Sequence, residues 1–116
     1  MLPLLALLPV LAATPALAEN RCGWLNNPTP GNWWLADADG WWTIMVQGNY
    51  EAAGMENIGD MQEGQWVASN GNYGYACFCL DVDTDGQGAI TDIYSSRQLR
   101  LAQCRRDPAL QEPDSE

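Results

Sequence analysis

The chain is 116 residues long, with 15 acidic and five basic residues and a formal net charge of −10. All five bases are arginine, and there is neither histidine nor lysine. Those absences exclude a histidine general base, Ser-His-Asp and Cys-His nucleophiles, histidine-ligated metals and Schiff-base lysines. The field that remains opposes nucleic acid and anionic lipid, and suits a basic protein or a divalent cation.

Residues 1–18 are uncharged, rich in Leu and Ala, and end in Ala16-Leu17-Ala18. That pattern predicts a secretory signal peptide. The apolar run is too short, and too broken by Pro3, Pro9 and Pro15, for a membrane span. Cys22 is set back from the cleavage position, so no lipid anchor is expected. The expected product is soluble and periplasmic or secreted. Residues 19–106 read as one disulfide-stabilised β domain, and 107–116 (DPALQEPDSE) as an acidic disordered tail.

Residues 25–32, LNNPTPGN, predict a loop, because their prolines, glycine and asparagines resist regular structure. NWWLA and WWTIMVQ, separated by DADG, predict a β-hairpin. Residues 51–64 lack alternation and leave room for one short helical turn. GQWVAS, YACFCLDV and AITDIYSS are three further strands, with NGNYG a turn and DTDGQG a connection. The class is all-β, with about five strands in a small antiparallel sheet curled into a barrel or sandwich. Ile90 and Ile93 are three apart rather than two, which predicts a bulge in the last strand.

Adjacent strand residues point to opposite faces, so each tryptophan pair must split. Trp33, Leu35, Trp42, Ile44 and Val46 form one apolar face, with Ala76, Phe78, Leu80 and Val82 alike on a second strand. Trp34, Trp41, Tyr75, Cys77 and Cys79 fall on the other. In an exported chain, Cys22, Cys77, Cys79 and Cys104 predict two disulfides. A Cys77–Cys79 bridge would be strained, which leaves two pairings. Cys22–Cys79 with Cys77–Cys104 is slightly favoured. The N-terminal segment and an arginine-rich strap (Arg97, Arg100, Arg105, Arg106) are therefore expected to cross the outer face, the strap lying on an acidic body.

Three chemistries compete for this framework. Trp34 and Trp41, with Tyr73, Tyr75, Asn32 and Asn72 nearby, could present flat rings and amides to a glycan. The stretch DVDTDGQGAITD resembles a calcium loop with Asp81, Asp83, Asp85 and Asp92 as ligands. However, its flanks read as strands, and an Asp-Gly turn explains it without metal. Asp37 with Asp39, or Glu51 with Glu56, could serve as paired carboxylates, but turn roles explain the first pair equally well. No cofactor and no catalytic constellation are expected.

The stretches RCGWLNNPTPGNWWLADADGWWTI, QGNYEAAGMENI, SNGNYGYACFCL and the run through Cys104 to RRDPAL resemble the bacterial exported family catalogued as domain of unknown function 4087. The likeness spans nearly all of the chain beyond residue 18. It departs at Arg100-Leu101, where the family pattern has Pro-Leu. The resemblance implies an exported, cysteine-containing bacterial domain and implies no activity. It also implies that the hairpin around residues 83–89 is variable, which counts against calcium. The sequence therefore predicts a monomeric binding domain for an envelope glycan or peptidoglycan. The alternative is an acidic inhibitor of a basic protein such as a lysozyme.

Overall fold

The computed structural model describes residues 18–115. The signal peptide expected over 1–18 lies outside them, apart from Ala18. Seven strands form one antiparallel sheet: β1 (Glu19–Thr29), β2 (Asn32–Asp37), β3 (Gly40–Val46), β4 (Tyr50–Glu51), β5 (Trp66–Asn70), β6 (Tyr73–Thr84) and β7 (Ile90–Gln98). Among the described residues, a 3₁₀ turn (Met55–Asn57) and a short helix, α1 (Leu101–Arg105), accompany the sheet.

The strand order is β4-β3-β2-β1-β6-β5, with β7 also on β6. β5 pairs with β6 over Tyr73–Ala76, and β7 pairs over Phe78–Thr84, so the two lie end to end along one edge. The ladders do not close into a barrel. Short parallel bridges at Thr43–Ala89 and Ala53–Asp92 instead bring the β3–β4 side against β7. There the Thr43 amide donates to Gly88 O at 2.8 Å, and the Ile93 amide to Ala53 O at 2.8 Å. The result is a curled, sandwich-like sheet.

The alternation in β6 builds two cores on opposite faces. Ala76, Phe78, Leu80 and Val82 meet Leu25, Leu35, Ile44, Ile90 and Ile93 inside the curl. Tyr75 and Cys77 meet Trp24 and Cys104 outside it, with Leu99, Leu101 and Leu110 packed over them. The disulfides join Cys22 to Cys79 and Cys77 to Cys104. The first bridges adjacent strands, and the second bolts α1 to the outer face. β7 carries the expected irregularity: its register slips at Tyr94 and at Thr91, which lets both Ile90 and Ile93 face the core.

Four expectations need correction. First, Leu25 to Thr29 are not loop but the end of β1, the central strand between β2 and β6. Asn27 pairs with Gly74, and its side-chain amide donates to Thr29 O and Asn32 O, so the asparagines stabilise the strand end. Pro28 falls beyond the last β1–β6 pair, where its missing N–H costs nothing. The N-terminal segment thus joins the sheet rather than crossing it.

Second, Val46 is not core but 38% exposed. A bulge opposite Trp33/Trp34 leaves Ile44 as the extra residue, so Met45 turns inward and Val46 outward. Third, residues 107–115 are not a free tail. Leu110 packs on the outer core, and Glu112 accepts bonds from Arg105 and Tyr75. Fourth, the strap is held mainly by leucines, a disulfide and the Leu99 amide's bond to Cys77 O, with Arg97 acting on Asp81 of the body. Its ion pair, Arg105–Glu112, closes within the strap's own segment.

Candidate functional site

Trp34 and Trp41 lie on neighbouring strands and reach the outer face together. The β2–β3 register places Trp34 opposite Thr43 and Trp41 opposite Ala36, so the two rings are diagonal neighbours. They stack with centroids 4.6 Å apart and planes inclined by 23°. Trp34 is half-buried, whereas Trp41 is 59% exposed. A stacked pair occupies one face of each ring, so much of Trp41 stays open to solvent.

The hairpin that carries the pair is fixed from its inner face. Asp37 Oδ1 accepts from the amides of Asp39 and Gly40 and from Trp42 Nε1 at 2.9, 3.1 and 3.0 Å. Arg21 donates to Asp37 Oδ2 at 2.9 Å and to Asp39 at 3.1 Å, and pairs with Glu19. Its guanidinium lies 3.9 Å from the Trp42 ring centroid. Asp37 and Asp39 are thus joined through Arg21, and Asp37 caps the turn amides. Sequence reasoning missed this anchor. The signal was present: Arg21 is the sole base among the eleven acids of residues 19–96.

Two grooves meet at the pair. One, of about 370 Å³, has Trp34 and Trp41 beside Thr29, Asn32, Trp33 and Thr43. The other, of about 430 Å³, sets the same two rings against Asn26, Gln111, Glu112 and Asp114. The C-terminal segment therefore walls the site, which composition alone did not suggest. Glu112 holds its place there through Arg105, at 2.8 and 3.0 Å, and through the Tyr75 hydroxyl, which donates at 2.7 Å. Arg105 keeps the Glu112 carboxyl below its ordinary range. Burial, helped by Glu112, pushes the Tyr75 phenol up to about 12.

The other sequence-predicted candidates scatter. Tyr75 is 1% exposed, packed edge-on to Trp24, and supports the strap rather than facing solvent. Asn32 lines the first groove, but its side chain is spent on Thr29 and on the Gln47 amide. Asn72 and Tyr73 line a separate groove with Trp33 and Trp66.

The calcium-loop aspartates do not converge. Asp81 accepts from Asn20 and Ser95, Asp83 from Tyr94, and Asp85 from the amides of Gln87 and Ala89. Among the described residues no group of three or more His, Cys, Asp or Glu could hold a metal ion.

A family model described as a protein of unknown function (DUF4087) matches residues 16–111. No curated protein and no solved structure matches the chain.

Proposed function

We propose that this chain, which belongs to the family of domain of unknown function 4087, is a non-enzymatic binding domain that takes an envelope glycan on Trp41 and Trp34. The observation that carries this reading is Trp41: a large aromatic ring, 59% exposed, backed by a second ring and flanked by two grooves. Flat exposed rings suit the apolar faces of sugars, and Gln111, Asp114 and Thr29 stand close enough to meet hydroxyls. The two disulfides are compatible with an extracellular or periplasmic setting. Among the described residues no helix is long and apolar enough to cross a membrane.

The test is co-sedimentation with purified peptidoglycan sacculi, at low and high salt, for the native protein and Trp41→Ala. Native binding that resists salt and is lost in the variant supports the reading. Equal binding by both proteins overturns it.

The charge favours a second reading, recognition of a basic protein. Exposed Glu51, Glu56, Asp60 and Glu63 cluster in sequence around the 3₁₀ turn, and neither Arg21 nor Arg105 is paired with them. Such binding would weaken steeply with ionic strength, while ring stacking would barely respond.

A further inference from the structure

Three grooves of the surface share aromatic walls. Trp34 and Trp41 belong both to the groove beside Thr29 and to the one beside the C-terminal segment. Trp33 belongs to the first of these and to a third groove, of about 460 Å³, that includes Trp66, Tyr73, Asn72 and Asp60. Aromatic side chains thus link the grooves in series, from the C-terminal segment past Trp41, Trp34 and Trp33 to Tyr73. Each groove is at the small end of ligand-site size. A ligand that used all three would be long and thin.

We propose that the ligand is a chain of sugars occupying successive subsites along this track, with Tyr73 and Asn72 forming the far one. This rests on the glycan-binding reading above and adds chain length to it. The adjacency comes from the fold: alternation along β2 sends Trp33 and Trp34 to opposite faces, and Trp33 borders both the first groove and the third. The β5–β6 turn then brings Asn72 and Tyr73 to the same end of the sheet. The charged residues along the track are acids, Asp60, Glu112 and Asp114, and Glu112 is already paired with Arg105. The chain is therefore not a polyanion, which would be repelled, and N-acetylated or simple hexose units fit.

The experiment is calorimetric titration of the native protein with β-1,4-linked N-acetylglucosamine and glucose oligomers, from dimer to hexamer. Affinity is expected to rise roughly tenfold or more between dimer and hexamer as further subsites fill. Tyr73→Ala should remove that gain with length. Asn72→Ala, at an exposed turn position, should reduce the gain without touching the fold. Trp41→Ala should weaken every oligomer.

Dimer binding that depends on Trp41 but does not grow with length overturns the chain proposal and leaves the platform standing. Binding indifferent to Trp41, or no binding by any oligomer, overturns the platform reading and this one with it. So does saturation of the same residues by neutral peptides that sugars cannot displace.

Discussion

The guanidinium of Arg21 lies 3.9 Å above the ring of Trp42 while donating to Asp37, whose side chain is only 6% exposed. These contacts tie the start of β1 to the β2–β3 hairpin that bears Trp34 and Trp41. Arg21→Met keeps the alkyl packing but leaves Asp37 without its counter-charge. It is expected to cost about 2–4 kcal/mol in urea denaturation. Arg21→Lys should recover less than half of that, because an ammonium cannot span Glu19, Asp37 and Asp39 as a planar fork does.

Gly23 is required by close approach rather than by an unusual backbone angle. A Cβ there would stand 2.1 Å from Ala36 O on the neighbouring strand. Gly23→Ala must therefore push β1 and β2 apart beside Trp24, and is expected to lose about 2–3 kcal/mol or fail to fold. A thermal melt against Gly59→Ala, where nothing lies within 4 Å of the added atom, measures the difference.

The Cys77–Cys104 bridge holds the strap over Trp24 and Tyr75. Replacing both cysteines by alanine should destabilise the protein by roughly 3 kcal/mol. It should also make residues 99–115 the first site of limited proteolysis. The inner core, built from Leu25, Phe78 and Ile93, should keep its far-UV spectrum under conditions where the fold persists.

The strap is also expected to respond to pH at both ends of the scale. Glu112 is lowered by Arg105 and then by Tyr75. Its stabilisation is present above the usual carboxylate range and disappears as pH falls through its depressed value. Tyr75 is raised to about 12 by burial and Glu112. Its share is complete below a normal phenol pKa of about 10 and is lost as pH rises toward 12. Proteolysis of the strap across pH reads both limbs, and Glu112→Gln should flatten the acid one.

Much of this fold was legible because β6 and the tryptophan hairpin alternate cleanly. YACFCLDV announces its two faces, and that split is what separates the core from the disulfide-bolted outer layer. β1 was not legible. Its Gly23, Trp24 and Leu25 are buried on both sides, and a strand covered on both faces has no polar phase to betray its period. Its Asn-Asn-Pro end reads as loop until the buried amides are seen to bond the backbone.

Of the candidate site, Trp34 and Trp41 could be paired by parity. Tyr75 could not be judged, since only the packing of Leu110 and Glu112 decides that it is covered. The groove wall at Gln111–Asp114 came from a segment whose composition looked unstructured.

The exposed Trp41–Trp34 pair is the proposed landing place of the ligand. The direct measurement is a fluorine NMR titration of fluorotryptophan-labelled protein with the oligomers above, assigned with Trp34→Phe and Trp41→Phe. The Trp41 and Trp34 resonances are expected to shift saturably while that of Trp24, buried beneath the strap, stays fixed. Saturable binding that leaves the Trp34 and Trp41 signals unmoved would contradict it.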